Sequence, residues 1–557
     1  MLDLFFHLNK CSFFIKSLSR ILAGFFLYFL TNNVYALNYA AYYFNYEPEK
    51  TPGCIQVALS TKADNDGKAV FKLPENVDIF YVQNPGAKGG ALPGSNRIAI
   101  VQLKPNEQVI LRYESCFINY SKTIYTALYD KNLLFFAHGS MLILPLGKNL
   151  DEEWQYFLDY SKLPENFHVV SSHPIVNKTM NVVMTLGEFE HTATLAGLFT
   201  PKVLAFDDKN DKPIQYIQLG NWDWFKETPE FYIRKLLSYQ RKFWQDDDSS
   251  DYSIAFSTQE KTPYFNGIQG VHFKNFIALS IAQNNENIPD SIMGISHELF
   301  HGWIGNKAFL KYPLESVTWF LEGFTDYYAN RFALEAETIT FSDYINNLNK
   351  NLIRFYASPI RDMSRDQALE NYDPDKYVYQ FELIKGSLVA HKMAKLKDEN
   401  NNRIIDKTIK SIYFKIKDNK ALSEKEQKSI IWDEFNQALG KEQWAEYEKF
   451  LNTQNQFKLS ESDFDFPTKI KIKTFKLPHY HFDMTNFIIK REIKDLVTNS
   501  PEYKAGLRNG MKIIQHNITF HRAADEISLL LEDENKVQRT IKFKPKLKTH
   551  KIPQLIK

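Results

Sequence analysis

The chain has 557 residues, of which 44% are apolar, 24% charged and 15% aromatic. That composition excludes a disordered or low-complexity protein and suits about three folded domains. Its 68 basic and 66 acidic side chains give a formal net charge of +2, so no overall field drives binding to nucleic acid or anionic membranes.

Residues 1–36 read as a cleaved export signal. Lys10, Lys16 and Arg20 precede an apolar run at 21–30, and Val34-Tyr35-Ala36 offers a cleavage point after Ala36. A membrane anchor would need about 20 apolar residues, and this run has ten. Lys10 before Cys11 breaks any lipoprotein pattern. Without Lys10, Lys16, Arg20 and Asp3, the mature chain keeps 65 basic and 65 acidic groups. It also keeps Cys54 and Cys116, which in an oxidising compartment either pair or stay as two buried thiols. The expected location is periplasmic or extracellular.

From residue 37 to about 225, short apolar runs at 97–103, 109–113, 133–137, 141–144 and 182–185 predict strands. Turn chemistry separates them, including Asn84-Pro85-Gly86, Gly89-Gly90 and Leu92-Pro93-Gly94. Residues 37–225 are therefore expected to be a β-sandwich-like domain. Beyond 226 the apolar period lengthens, predicting helices at 230–244, 290–304, 318–334, 340–355 and 377–397, with strand-like pieces at 252–257 and 270–281. Residues 226–458 form a mainly helical domain beside a small sheet. Pro467 and the alternating Lys469, Lys471 and Lys473 introduce a third unit at 459–547, and 548–557 read as a solvated basic tail. The expected fold class is multidomain α+β.

The chemistry concentrates at Ser296-His297-Glu298-Leu299-Phe300-His301. Asp290 or Ser291 is placed to cap a helix there, Ile292, Ile295, Leu299 and Trp303 give it an apolar stripe, and Gly305-Asn306 can end it. Two histidines four apart share a helix face and can meet one Zn²⁺, leaving Glu298 free to act on water. The bland alternative is an amphipathic helix with two satisfied histidines. With twenty residues between it and His301, Glu322 lies in Trp319-Phe320-Leu321-Glu322-Gly323-Phe324-Thr325-Asp326-Tyr327-Tyr328, a helical run able to supply a third ligand while a fourth position stays open. Asp326, one turn later, either accepts the outer N–H of a ligating histidine or faces solvent.

HELFH followed by WFLEGFTDYY resembles the gluzincin metallopeptidases. Together with Ser500-Pro501 and Ala505-Gly506-Leu507 downstream, it is most similar to the glycyl aminopeptidase family, whose members carry a PDZ domain. The resemblance implies an N-terminal β domain, a thermolysin-like catalytic domain and a C-terminal PDZ-like domain. It also implies one Zn²⁺ per chain held by His297, His301 and Glu322, peptide or protein substrates, and aminopeptidase activity. An endopeptidase or oligopeptidase on the same site, or a zinc-retaining binding protein without catalysis, are the alternatives.

Two family features are altered. The Gly-rich strand that in such aminopeptidases ends in an amine-binding glutamate corresponds to 267–275 here, where no glutamate occurs. Gly270 and His272 occupy the substrate-binding stretch, and a neutral imidazole lacks the charge to pair with an ammonium. The tyrosine expected two residues before Lys385-Gly386 is Leu383. Tyr379, one turn earlier on the same helical face, is the candidate oxyanion donor or a core tyrosine; Tyr377 and His391 are further candidates. In the PDZ-like unit, the loop His481-Phe482-Asp483-Met484-Thr485 lacks glycine and adds a negative charge. A structural role there stands beside peptide capture. Asp246, Asp247, Asp248 and Asp251 lack EF-hand spacing and read as a solvated loop.

Overall fold

A computed structural model describes residues 38–556 apart from 52, 75, 78, 86–87, 92–96, 117–126, 148–151, 207–212, 226, 246–251, 261–266, 284–286, 309–314, 362, 371–376, 418, 420–421, 453–458 and 523–525. The export signal, the 92–94 corner and the aspartates at 246–248 and 251 lie outside the described residues.

Three sheets build the first domain around one core. The largest runs in the order Thr179–Thr185, Glu153–Lys162, Asn38–Asn45, Cys54–Lys62, Gln108–Cys116, Phe80–Val82. Its members Glu153–Lys162 and Gln108–Cys116 alternate buried and more exposed residues, as a sheet with one covered face requires. Cys54 and Cys116 sit directly opposite each other on neighbouring strands and are joined as a disulfide. Closing the 62-residue separation constrains the unfolded chain by about 4 kcal/mol.

The sheet containing Leu133–Ala137 and Ala193–Gly197 differs in being buried on both faces. Leu134 and Phe136 join the first core, whereas Phe135, Ala137 and Leu195 pack against Ile217, Ala255, Phe276 and Ala278 of the next domain. This double burial explains why Leu133–Ala137 reads as a continuous apolar run. The expected strand at 141–144 is instead a helical turn, His138–Met141, followed by the strand Leu144–Leu146. Inside it, His138 bonds Thr192 Oγ1 at 2.7 Å and Thr194 Oγ1 at 2.9 Å.

The boundary of this domain lies near residue 200 rather than 225. Lys202–Leu204 and Ile214–Leu219 belong to the five-stranded sheet of the second domain, continued by Ser253–Gln259, Phe276–Ala282 and, at the edge, Ile268–Phe273. The three central strands are parallel, and the helix Pro229–Trp244 makes the crossover between the first two. The piece expected as one strand at 270–281 is a hairpin. Asn275 turns it with a φ of 55°, a conformation asparagine tolerates better than most residues.

Helices Ile288–Phe300, Thr318–Glu335, Phe341–Ala357 and Tyr377–Ala394 follow, within a few residues of expectation. The first starts earlier than expected: Asn287 is its N-cap and Pro289 lies in its first turn. Asp290 is not the cap; it receives Asn287 Nδ2 at 2.6 Å and pairs with Lys350 at 2.7 Å.

The C-terminal module contains Pro501–Lys504, capped by Ser500, then Gly506 and Gly510 at positive φ, and the strand Lys512–His516, matching the turn, helix, turn and strand expected at 499–514. The solvated basic tail is a correction. Lys546–Ile556 pairs antiparallel with Lys469–His479 over eleven positions, and Ile552 and Leu555 are buried. Asn349 of the second domain donates to the Leu555 carbonyl at 2.9 Å and accepts its N–H at 2.7 Å, docking the strand.

Candidate metal centre

The helix Ile288–Phe300 is pressed between a helix and the edge strand. On one side Gln240 Nε2 donates to the Ser296 carbonyl at 2.9 Å. On the other, a Cβ on Gly294 would stand 2.8 Å from the Ile268 side chain, and one on Gly270 would stand 2.3 Å from the Glu298 carboxyl carbon. Glycine here lets the edge strand pass close to Glu298 without displacing its carboxyl group.

Thr318–Glu335 approaches equally closely from a third direction. Its Gly323 lies back to back with Gly386 of Tyr377–Ala394, where an added Cβ on Gly386 would meet the Trp319 carbonyl oxygen at 1.7 Å. The glycine of the Lys385-Gly386 pair is therefore a packing residue that seats the helix bearing Glu322. Its neighbour Lys385 is fully buried and bonds Glu382 at 3.0 Å and the Leu451 carbonyl.

These contacts bring His297, His301 and Glu322 together, with one donor atom from each mutually within 4.8 Å. His297 Nε2 lies 3.0 Å from His301 Nε2 and 3.2 Å from Glu322 Oε2, and His301 Nε2 lies 3.5 Å from that oxygen. Four donors about 2.0 to 2.1 Å from a tetrahedral Zn²⁺ stand about 3.3 Å apart, so the three present fit the ion. The His301 Nδ1–H donates to the Ile304 carbonyl at 3.0 Å, leaving Nε2 of a neutral ring as a bare acceptor aimed at the centre.

The charges agree. Burial pushes Glu322 up, but the two histidines outweigh it and hold its carboxyl well below the usual range. Burial pushes His301 down, and Glu322 outweighs that, raising it to about 9. A dication held there would take the place of that proton.

Glu298 is held above the usual carboxylate value by burial, with Glu322 adding to the effect and both histidines opposing it. His272 faces the centre from the edge strand. Burial, reinforced by His301, pushes it down to about 3, and its Nε2 lies 3.1 Å from the Tyr252 hydroxyl. Sequence reasoning missed Tyr252, which nothing local marks; the fold brings it 20 residues across to His272.

Asp326 is half-buried, and its hydrogen bonds come from Ser387 Oγ at 2.8 Å and Asn351 Nδ2 at 3.4 Å. His297 reaches it as a nearby charge that opposes the upward push of burial. Tyr379 lies half-buried in the first turn of Tyr377–Ala394; the preceding 371–376 are outside the described residues. The other tyrosine and histidine candidates are engaged elsewhere. Tyr377 donates to the Ile518 carbonyl at 2.9 Å and stacks on His516 of the C-terminal module. Leu383 is partly buried in the core. His391 packs edge-on against Tyr327 and Tyr344, and burial lowers it to about 4.

Residues 291–381 match the family model described as M61 glycyl aminopeptidase. No curated protein matches the chain. Among solved structures, the chain is similar to an aminopeptidase N family protein from Idiomarina loihiensis, at 15% identity and a TM-score of 0.65, covering 92% of this chain and 98% of that one. It is also similar to an M1 zinc metallopeptidase from Deinococcus radiodurans, at 13% identity and a TM-score of 0.51, covering 77% and 96%. A point mutant of the latter, bound to a tripeptide substrate, aligns at 13% identity and a TM-score of 0.50, covering 76% and 96%.

Proposed function

We infer that this chain, a gluzincin metallopeptidase by its matched segment and its donor set, is an aminopeptidase that hydrolyses peptide bonds outside the cytoplasm. The observation that carries the reading is the convergence of two Nε2 atoms and one carboxylate oxygen, with Glu298 beside them against the glycine of an edge strand. His297, His301 and Glu322 would hold Zn²⁺, which when bound polarises the scissile carbonyl and acidifies water.

The chain's own residues do the rest. Glu298 takes the proton of the attacking water and returns it to the leaving amine. Its raised proton affinity suits both halves of that task. Ile268–Phe273, with no further strand beside it among the described residues, offers backbone groups along which an extended peptide can lie. Tyr379 is the assigned oxyanion donor and Asp326, through its charge, steadies His297.

His272 favours a second reading. It is neutral, and the Ile268–Phe273 strand carries no carboxylate, so no ammonium is paired there. An oligopeptidase indifferent to the free amine fits that strand. Export is supported by the Lys- and Arg-bearing leader and by the Cys54–Cys116 bridge. In the PDZ-like module, Asp483 Oδ1 accepts the N–H groups of Thr485 and Asn486 at 2.9 and 3.0 Å. Its own side chain thus fills a place where a peptide carboxylate would bind, which supports a bracing role.

The test is digestion of a mixed peptide set by zinc-loaded protein beginning at Leu37, read by mass spectrometry, with Glu298→Gln as control. Trimming of free but not N-acetylated peptides supports the aminopeptidase; cleavage of both supports the oligopeptidase. No cleavage by either protein leaves the zinc-retaining binder.

A further inference from the structure

Gly270 and His272 lie two residues apart on the edge strand Ile268–Phe273, so their side-chain directions share one face. That face is turned to the ligand helix, because the Cβ direction of Gly270 runs into the Glu298 carboxyl group. Beside His272 stands Tyr252, whose hydroxyl lies 3.4 Å from where a Cβ on Gly302 would be, immediately after His301. His272 and Tyr252 thus flank the segment that runs from Glu298 to Gly302.

The pair has one way to satisfy its protons. Tyr252 keeps its hydroxyl hydrogen, since burial and Glu298 push it well above its ordinary value against the opposing charge of Arg241. Its hydrogen-bond partner among the described residues is His272 Nε2 at 3.1 Å, and it has no other. The hydroxyl therefore donates and Nε2 accepts, which in a neutral imidazole puts the ring proton on Nδ1. A second ring proton, which burial and His301 oppose, would leave Nδ1 a donor as well. Nδ1 has no partner among the described residues and is not sealed from solvent. The strand thus offers an open N–H donor, the reverse of what a carboxylate offers.

An ammonium has only hydrogens to present to that donor, whereas an uncharged amine has a lone pair that accepts from it. Glu298 and Glu322 do not supply the missing partner, being committed to the water and the metal. A peptide lying antiparallel on this edge, its scissile carbonyl beside Glu298, points the amine of the preceding residue toward His272. We propose, resting on the aminopeptidase reading, that His272, its tautomer fixed by Tyr252, binds the substrate's N-terminal amine in the uncharged form. An aminopeptidase of this kind needs no carboxylate on its edge strand.

The test assays the zinc-loaded mature chain on an alanyl peptide amide and on its lactyl analogue, in which a hydroxyl replaces the amine and accepts a hydrogen bond at every pH. Titrations of the enzyme's own groups, Glu298 and the ligand set included, act on both substrates and cancel in the ratio of their kcat/KM values. That ratio is expected to rise about 50-fold from about pH 6 to 8.5 and then level, following an α-amine that ionises at about 7.7 to 8.0. His272→Glu should pair with the charged amine and abolish the rise. Tyr252→Phe, which lets the ring carry its proton on either nitrogen, should shrink it, and decides together with the wild type if His272→Glu does not fold. A flat or falling ratio in the wild type, or an undiminished rise in either variant, would overturn the proposal and leave the aminopeptidase standing. If neither substrate is cut while longer N-acetylated peptides are, the aminopeptidase reading falls and the proposal with it.

Discussion

The helix pair that seats Glu322 and the ribbon that closes the C-terminal module are held by opposite means. In the pair, Gly323 and Gly386 bring two backbones into contact, so the position of a ligand is set by packing with no slack. In the ribbon, eleven backbone pairings fix the strands, and most side chains stand free in solvent. Close packing serves chemistry, which needs atoms placed to tenths of an ångström; backbone pairing holds its strands while leaving their side chains exposed. The contrast predicts where substitutions will be felt.

The largest effect is expected from Gly386→Ala. Its Cβ would meet the Trp319 carbonyl oxygen at 1.7 Å, forcing the helices apart at a cost of about 3 kcal/mol and weakening zinc affinity by moving Glu322. Urea unfolding and chelator competition measure both. Gly267→Ala, with nothing within 4 Å of its added Cβ, should stay within about 0.5 kcal/mol, and an equal loss at the two positions would break the comparison.

The β domain sharpens it through pH. His138 is buried and bonded to two threonine hydroxyls, and burial holds it at about 3 against 6.5 for a free histidine. Below pH 6.5 the unfolded chain takes up a proton that the folded chain refuses, so this stability is complete above 6.5 and is lost as pH falls toward 3. At pH 5 the loss is about 2 kcal/mol, and His138→Gln should remove it from the difference between unfolding curves at pH 7 and pH 5.

Where the two regions meet, Tyr377→Phe removes the hydroxyl that reaches the Ile518 carbonyl. A fall of about 1 kcal/mol in stability is expected, read by thermal unfolding. Single lysine-to-glutamine changes in the ribbon should alter stability by less than about 0.5 kcal/mol, the smallest effect of the series.

Much of the site was legible because its signals are local. His297 and His301, four apart, share one helix face with Glu298 between them in sequence, and Glu322 follows in the next helical run, so local signals proposed the ligand set that the fold brings together. The five catalytic-domain helices were legible from their period for the same reason. What escaped depends on distant partners. The strand Lys546–Ile556 looks like a charged tail until it is paired with residues 67 to 87 positions earlier. Lys202–Leu204 and Ile214–Leu219 look like the end of the first domain until they join the second sheet. The bond from Ser387 to Asp326 and the approach of Tyr252 to His272 join residues with no common periodicity. Gly386 was visible in the sequence, but its contact with Trp319 was not.

Whether His297, His301 and Glu322 hold the zinc while Glu298 works on the water is tested by zinc affinity and peptide cleavage in Glu322→Gln and Glu298→Gln side by side. Glu298→Gln should keep wild-type zinc affinity and lose about 10²- to 10⁴-fold in turnover, whereas Glu322→Gln should lose the metal itself. Wild-type zinc affinity in Glu322→Gln, or undiminished cleavage by Glu298→Gln, would contradict the account.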